Sequence, residues 1–483
     1  MQIFKTLMVL CLSLQLSIAA QTKELSAFEQ WRLKKQQAFT QFKDERDQAF
    51  IEQMQTRWTQ YKTNPGIRRD TKPKPSEIPI APDDSDKELD GIVVQLDKPE
   101  PAVVTPIVIP PEKPLITRPE PVGSAVSFDF FGDDMTLVVP KNFQVKLRNT
   151  INDKSITQAW AQLAVSDYEG VLDQLHEEMT DYQLKDWAKI QLIFQFVNAM
   201  PRSNSNERIV MSWFLLSRFG LDIRVAHSKS TVFLLLPIEQ EVYEVAFLTE
   251  QGQKYYIFNM NGGVKKVDRL SSYRGEFDQK ARLVNVEFEA LNWKQPRLKS
   301  RTLAFEWNND QYKLTTDYAA QDVLYYRTYP LLGLESYFDA TYRFDYNNTI
   351  LIQLHQLVNG RSEIEALNII LRFVQTSFQY ETDEKQFGQE NYLLPTEMLH
   401  YRASDCEDRS ILFAWLVKQL FGYEVIGIKY PGHVTTGVAI KGTLVGDIVE
   451  FQSRKYLIAD PTYINANMGM AMKSYRDQRP ERI

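Results

Sequence analysis

Thirteen of the 22 prolines in this chain fall within residues 63–122. Proline removes a backbone donor and disfavours helical backbone in the residue before it. A stretch with so much proline is typical of a flexible or semi-extended linker, and we predict one here. The chain is therefore expected to consist of a short N-terminal part, this linker, and a larger folded part that begins near residue 123.

The first 20 residues have the pattern of a secretory signal peptide. Lys5 precedes an apolar run, and the small residues Ala19 and Ala20 end it. The protein is therefore expected to be exported, to the periplasm or the extracellular space. No later apolar stretch is long enough to span a bilayer, so we do not expect a membrane-spanning protein.

Residues 21–62 are predicted to form one amphipathic helix. Apolar side chains recur at helical spacing, and four aromatic residues lie 11 positions apart, which keeps one stripe along a nearly straight helix. These are Phe28, Phe39, Phe50 and Tyr61. Two roles remain open for residues 22–62: a coiled-coil or docking helix for a partner, or a helix that packs on the protein's own globular part.

The length of 483 residues predicts about three structural units. A formal charge of -6 gives no electrostatic reason to expect nucleic acid as a partner. After the linker, helical periodicity over 181–200 and 206–220 precedes several short apolar runs typical of buried strands. We therefore predict an α+β fold of helices packed on antiparallel sheet, with one lobe over 123–320 and a second over 321–483.

The second lobe contains the most specific pattern in the chain, which begins SDCEDRS and ends YLIADPT. Once the signal peptide is removed, Cys406 is the only cysteine. It lies in the first turn of a predicted helix that stops at Gly422, where the helix dipole favours a thiolate. His433 opens one predicted strand and Asp460 ends another. These residue types supply a nucleophile, a general base and a group that orients the base.

The motifs around these residues resemble the transglutaminase-like superfamily of bacterial papain-fold cysteine enzymes. The stretches DCEDRSILFAWLVKQLFGYEV, GHVTTGVAI and YLIADPT carry the resemblance, which is strong over about 365–465 and faint over about 185–260. It implies that Cys406 is the nucleophile, His433 the general base and acid, and Asp460 the orienting residue. It also implies acyl transfer from a peptide or protein amide, cell-envelope peptides included, to water or an amine.

The faint copy indicates an internal duplication. At an offset of 202 residues, Trp213 aligns with Trp415. Three polar residues of the first lobe then take the positions of the catalytic candidates, the last after a one-residue slip: Asn204, Thr231 and Asn259. None of them can form a thiolate or accept a proton at neutral pH. The first lobe is therefore expected to be catalytically silent.

Other polar residues receive weaker assignments. The side-chain donor of an oxyanion hole is not identified, and its candidates, in a segment more typical of a rim loop, are Gln386, Gln389 and Tyr392. His400 lies six residues before Cys406 and is a second candidate base, although its position suits a loop or surface histidine better. No HExxH or CxxC motif occurs, so neither a catalytic metal nor a cofactor is expected.

Two features favour a different class, a catalytically silent binding or scaffold protein. The first lobe lacks the catalytic residue types, and the N-terminal helix suits partner recognition. Separately, Asp405, Glu407 and Asp408 surround the cysteine with negative charge, so a thiolate needs a neighbouring imidazolium to offset it. The intact set of cysteine, histidine and aspartate favours the enzyme.

Overall fold

The computed structural model describes residues 45–69, 77–82, 93–95, 121–147, 150–275, 277–340, 349–476 and 478–483. The predicted signal peptide lies outside these ranges, and so does the predicted N-terminal helix up to residue 44. Residues 45–56 are helical, but Trp58–Lys62 is a strand. The prediction of one helix over 21–62 is therefore wrong at its C-terminal end. Trp58–Lys62 pairs along its whole length with Arg269–Tyr273, and this pairing outweighs the helical spacing of the aromatic residues.

The fold is mixed α+β with antiparallel sheets, as predicted. Several helices begin at residues that cap them: Asn152, Asn204 and Ser362 each accept a hydrogen bond from a backbone amide three residues later. The helices of the described residues are 45–56, Asp153–Ala164, Glu169–Asp181, Asp186–Ala199, Ser205–Arg218, Ala320–Tyr326, Leu334–Ala340, Thr349–Val358, Glu363–Thr376, Asp383–Phe387, Pro395–His400, Cys406–Phe421 and Lys473–Arg476. Within the described part of the chain, none of them is long and apolar enough to cross a membrane.

Two larger sheets organise the described strands. The first sheet has the spatial order Trp58–Lys62, Arg269–Tyr273, Arg224–Ser228, Thr231–Leu236, Gln253–Asn259 and Gly262–Gly263, and Phe247–Glu250 also pairs with Gln253–Asn259. The second sheet has the order Val93–Gln95, Ile448–Phe451, Arg454–Ala459, His433–Val438, Val425–Tyr430 and Glu481–Arg482. The smaller pairs are Ser124–Phe130 with Asp133–Val139, Leu298–Trp307 with Asp310–Ala319, Val242–Tyr243 with Leu331–Leu332, and Gln379–Tyr380 with Ala403–Ser404.

The two larger sheets share one strand order. Four strands of each sheet, numbered in chain order, form the shared pattern. In the first sheet they are Arg224–Ser228, Thr231–Leu236, Phe247–Glu250 and Gln253–Asn259, and in the second they are Val425–Tyr430, His433–Val438, Ile448–Phe451 and Arg454–Ala459. In both sheets they lie side by side in the order third, fourth, second, first. The register agrees as well, because Leu234 lies opposite Phe258 in the first sheet and Thr436 lies opposite Ala459 in the second. These positions differ by 202 and 201 residues, which are the offset and the one-residue slip of the sequence alignment.

The predicted linker, 63–122, is partly built into the fold. Asn64 exchanges two backbone hydrogen bonds with Phe247 of the first sheet. Further along, residues 79–81 pair with Ile464, and Val93–Gln95 forms the edge strand of the second sheet. Of the two predicted states, flexible or semi-extended, these described residues take the extended one and are hydrogen-bonded to the folded part. Proline excludes helix, but it does not prevent an extended chain from lying along a sheet edge.

One of the apolar runs predicted as a strand, LVNVEFEAL at 283–291, does not form one in the structure. Val284 makes only an isolated bridge, in which its amide donates to the carbonyl of Pro237 at 2.8 Å. The next two amides donate to side chains: that of Asn285 to Asp186 at 3.1 Å and that of Val286 to Gln240 at 2.9 Å. One isolated bridge and side-chain acceptors therefore take the place of a strand's hydrogen-bond ladder.

The helix Cys406–Phe421 positions the candidate site. It packs on the strands His433–Val438 and Val425–Tyr430 of the second sheet, and its residues up to Lys418 are buried. Gly422 ends it in the left-handed conformation, with φ of 67°. Because the helix is enclosed along most of its length, its first turn lies in the protein interior.

Candidate active site

Cys406 is the first residue of its helix, and 0% of its surface is exposed. Its sulfur accepts a hydrogen bond from the backbone amide of Val434, and its thiol donates to Glu407 Oε2 at 2.8 Å. One turn further along the helix, Ser410 Oγ donates to the carbonyl of Val434 at 3.2 Å. These contacts join the start of the helix to the start of the strand that carries His433.

His433 and Asp460 form a buried pair. The Nε2 atom of His433 lies 2.9 Å from Asp460 Oδ2. The other oxygen, Oδ1, accepts hydrogen bonds from the amides of Thr462 at 3.0 Å and Tyr463 at 3.2 Å. Because a carboxylate only accepts, Nε2 carries the proton of the neutral ring. The second ring nitrogen, Nδ1, is buried and has no hydrogen-bond partner among the described residues.

The ring of Tyr475 stacks on the imidazole of His433. Their centroids are 4.8 Å apart and their planes are inclined by 21°. Tyr475 belongs to the short helix Lys473–Arg476, which Arg476 ties to the buried Asp447. The stacked ring restricts rotation of the imidazole and shields one face of it from water. Sequence reasoning missed Tyr475, since KSYR carries no motif that marks it.

The surroundings of Cys406 favour the thiol over the thiolate. Burial raises the pKa of the Cys406 thiol well above its usual range, and Glu407 and Asp405 raise it further. The amide of Val434 lowers this pKa by a smaller amount. A thiolate therefore requires transfer of the proton to His433 or a change in these surroundings.

Buried carboxyl groups cluster beside Cys406. Oxygens of Asp383, Asp405 and Asp408 all lie within 4.8 Å of one another, a spacing that suits the ligands of one cation. Burial, followed by the charge of neighbouring carboxyl groups, raises the pKa of Asp383 to about 10 and that of Asp408 to about 8. These two groups therefore hold protons at neutral pH. No metal motif of the sequence includes the set, because Asp383 lies far from the others along the chain.

Two buried arginines bring positive charge to these carboxyl groups. Arg409 donates to two backbone carbonyls at 2.9 Å each, and burial lowers its pKa to about 10, which leaves it charged at neutral pH. Arg69 comes from the predicted linker and lies 3.3 Å from the centroid of the Tyr392 ring. It interacts electrostatically with Asp383 and Glu407.

Glu397 next to this cluster is expected to make stability fall as the pH rises. Burial raises its pKa to about 8, whereas the pKa of a glutamate in an unfolded chain is about 4.3. The native state therefore holds an extra proton, whose stabilising effect is complete below about pH 4 and is lost as the pH rises through 8. We expect the free energy of unfolding of Glu397→Gln, measured with urea between pH 5 and 8, to fall less steeply with pH than that of the wild type. The difference in slope should be about 1.4 kcal/mol per pH unit.

The glutamine can still accept the hydrogen bond that Leu394 donates to Glu397 at 3.1 Å, so the fold should persist. Glu306→Gln, at an exposed position of the long hairpin, serves as the control and should leave the slope as it is. A wild-type slope in Glu397→Gln would show that Glu397 is ionised in the native protein.

Two of the three predicted oxyanion donors have other partners in the structure. Gln389 accepts a hydrogen bond from Lys265 at 3.4 Å. Tyr392 is buried under the guanidinium of Arg69. The third, Gln386, lies in the short helix Asp383–Phe387, which begins at an acidic residue of the cluster.

Tyr380 is a hydroxyl close to Cys406 that sequence reasoning did not find. Its backbone pairs in parallel with that of Ser404, and Ser404 lies two residues before Cys406 in the sequence. Burial, and then the charge of Cys406, raises the pKa of the Tyr380 hydroxyl far above its usual range. The hydroxyl therefore stays protonated and can donate a hydrogen bond.

The first sheet does not repeat this arrangement at the aligned residues. Asn204 caps its own helix by accepting from the amide of Glu207 at 3.0 Å. Thr231 is exposed at the start of its strand, and Asn259 accepts from the amide of Asn261 in its own turn. The two asparagine side chains therefore support local backbone, and Thr231 lies at the surface.

A different asparagine takes the place of the cysteine in the first sheet. Val232 corresponds to Val434 at the offset of 202, and its amide donates to Asn206 Oδ1 at 2.9 Å. The equivalent amide in the second sheet bonds to the sulfur of Cys406. In this contact Asn206, two residues after the aligned Asn204, stands where Cys406 stands in the second sheet.

His400 contacts a different part of the molecule. Its Nδ1 atom lies 3.1 Å from the hydroxyl of Tyr318 on the long hairpin. Burial lowers the pKa of His400, and neighbouring cations lower it further. These contacts suit a structural histidine that is neutral at pH 7.

No protein-family model matches the sequence, and no curated protein matches it either.

Proposed function

We propose that this chain is an exported, transglutaminase-like cysteine enzyme that cleaves or transfers the acyl groups of peptide or protein amides. The observation that carries the proposal is the arrangement of three side chains from separate elements. Asp460 holds Nε2 of His433, Nδ1 of that ring has no partner among the described residues, and Cys406 contacts the amide next to His433. Export is proposed from residues 1–20, which lie outside the described ranges.

In the proposed reaction, Cys406 passes its proton to Nδ1 of His433 while the sulfur attacks the amide carbonyl. His433 then gives this proton to the leaving amine, the C–N bond breaks, and a thioester remains. Water or a second amine loses a proton to His433 and attacks the thioester, and the departing sulfur recovers that proton. Asp460 stabilises the imidazolium that forms in each half of the reaction. The Cys406 amide and the Tyr380 hydroxyl are suited to hold the oxyanion.

We also propose that the two sheets are copies of one transglutaminase-like lobe. Their common strand order and register support a duplication, and so do the two fully buried tryptophans at equivalent helix positions, Trp213 and Trp415. Asn204 and Asn259 of the first copy are engaged in local hydrogen bonds and Thr231 is exposed, which supports a silent lobe whose role is recognition or support.

A catalytically silent binding or scaffold protein is the second candidate function. The observation that favours it is the fully buried thiol, whose pKa is raised by burial and by two carboxyl groups. In that case Cys406 would pack as a small apolar residue, and the His433–Asp460 pair would serve stability alone.

Alkylation of Cys406 by iodoacetamide separates the two functions. The mature chain has this single thiol, and any covering groups are the same in wild type and in His433→Ala, so the ratio of their rates reports the thiolate fraction. At pH 6 we expect wild type to react roughly tenfold faster or more, since one pKa unit corresponds to a factor of ten. His400→Ala is the matched control and should behave as wild type. Equal rates in wild type and His433→Ala would leave the scaffold as the better proposal.

A further inference from the structure

An N-terminal strap, residues 58–69 and 77–82, passes from the first sheet to the second. Its first part is firmly held: Trp58–Lys62 pairs with Arg269–Tyr273 over five residues, and Asn64 exchanges two backbone hydrogen bonds with Phe247. Its second part pairs with Ile464, four residues after Asp460, and Ala81 packs in a buried cluster with residues of the second sheet. The strap therefore touches both sheets, although most of it lies in the predicted flexible or semi-extended linker.

The strap first approaches the candidate site through Arg69, which is only 6% exposed. Its Nη1 atom donates to the carbonyl of Leu332 at 3.1 Å, and its guanidinium stacks on Tyr392. It also interacts electrostatically with Glu407, which accepts the hydrogen bond of the Cys406 thiol. Glu407 therefore links Arg69 of the strap to the proposed nucleophile, Cys406.

The strap approaches the site a second time at residues 79–81. The amide of Ala81 donates to the carbonyl of Ile464 at 2.7 Å, and the amide of Ile464 donates to the carbonyl of Pro79 at 2.9 Å. Ala81 is 4% exposed, whereas Ile80 beside it is 65% exposed. This is the alternation of an extended segment laid along a backbone edge. Ala81 belongs to the buried cluster that includes Tyr475, whose ring stacks on His433.

These two approaches flank a site that is closed. Cys406, His433 and Asp460 are all buried, so an amide carbonyl cannot reach the sulfur in this arrangement. The contact at 79–81 has two backbone hydrogen bonds, the buried methyl group of Ala81 and the half-buried Pro79, whereas Trp58–Lys62 is paired along a whole strand. The segment 77–82 is thus less firmly held than the first part of the strap.

We propose that residues 79–81 form an inhibitory contact, which must detach from Ile464 before an acyl donor can reach Cys406. On this view the segment occupies the edge along which an extended polypeptide substrate binds by strand addition, with a small side chain at the position of Ala81. That an acyl donor binds in place of residues 79–81 rests on the proposed function. That these residues cover Cys406 does not.

Alkylation of the single thiol of the mature chain tests the contact. Ala81→Glu places a charge in the buried position, whereas Ile80→Glu places the same charge on the adjacent exposed position and is the matched control. At pH 8 we expect Cys406 in Ala81→Glu to react with iodoacetamide at least tenfold faster than in Ile80→Glu, and Ile80→Glu to stay within about twofold of wild type. Near-equal rates in all three proteins would overturn the proposal.

A second variant guards against unfolding by the buried charge. Ala81→Pro removes the amide that donates to Ile464 but adds no charge, and it should raise the labelling rate as well. Circular dichroism and thermal melting must show native folds, and labelling that rises only with loss of the fold counts against the proposal. Adding His433→Ala to Ala81→Glu separates the two hypotheses: a fast rate that does not depend on His433 would support the inhibitory contact and contradict the enzyme.

Discussion

Asp460→Asn is expected to lower the rate of acyl transfer by about 10³ to 10⁴-fold, although the side chain keeps its shape. In the wild type, Oδ1 of Asp460 accepts from the amides of Thr462 and Tyr463, and only Oδ2 faces His433. The amide oxygen of an asparagine must stay with these two backbone donors. Its NH₂ group then points at Nε2 of His433 and donates to it.

A ring that accepts at Nε2 carries its proton on Nδ1 and cannot take a proton from Cys406. The loss should therefore appear in kcat/KM for a small activated acyl donor such as p-nitrophenyl acetate, and the thermal stability should change far less. Glu424→Gln is the control, since Glu424 accepts a hydrogen bond from Tyr456 in the same sheet without contacting the site. If Asp460→Asn kept activity within tenfold of wild type, His433 could not be the base through Nδ1.

Local sequence patterns were sufficient wherever a short segment determines its own structure. The stop of the Cys406 helix at Gly422 was predicted, because the left-handed end of that helix favours glycine. The sequence Asn308-Asn309-Asp310 likewise marks the turn of the hairpin Leu298–Trp307 with Asp310–Ala319, and Asn308 and Asn309 both take the positive φ that this turn requires. The positions of His433 and Asp460 at strand ends follow from the same kind of pattern.

Contacts between distant segments were not predictable in this way. Tyr61 fits an 11-residue helical repeat, yet it lies in a strand because Arg269–Tyr273 offers an unpaired edge. Arg69 falls in the predicted flexible or semi-extended linker, because proline density says nothing about what a single side chain contacts. Asp383 lies 22 residues before Asp405 and Tyr475 lies beyond Asp460, and neither belongs to a motif. The sequence patterns thus predicted the candidate residues of the site but not the side chains that pack around them.

Arg409→Met is expected to lower the free energy of unfolding by about 3–5 kcal/mol. The guanidinium is fully buried and donates to the carbonyls of Gln375 and Phe378 at 2.9 Å and to Ser404 Oγ at 3.2 Å. Methionine fills similar space but leaves these acceptors without donors and removes a cation from the carboxyl cluster. Urea unfolding measures the loss.

The free energy of unfolding of Arg409→Lys should lie between those of wild type and Arg409→Met, because an ammonium group keeps the charge but cannot make the hydrogen bonds of the planar guanidinium. Arg454→Met is the control: its partner Glu424 lies near the surface and Arg454 is 55% exposed, so a change below about 1 kcal/mol is expected. A loss in Arg409→Met as small as in this control would mean that the buried guanidinium contributes little to the stability of the site.

The pH dependence of the same loss reveals which contacts of Arg409 matter. Burial raises the pKa of Asp408 to about 8, and the charge of Arg409 partly offsets that rise. At pH 5 the carboxyl group of Asp408 is protonated in the native state with or without the arginine, so only the hydrogen bonds to the backbone and Ser404 are lost. Above pH 8 the wild type also gains from a carboxylate next to the guanidinium, and the methionine variant does not. The loss should therefore be larger at pH 9 than at pH 5, and equal losses at both would mean that Arg409 stabilises the protein through its neutral acceptors alone.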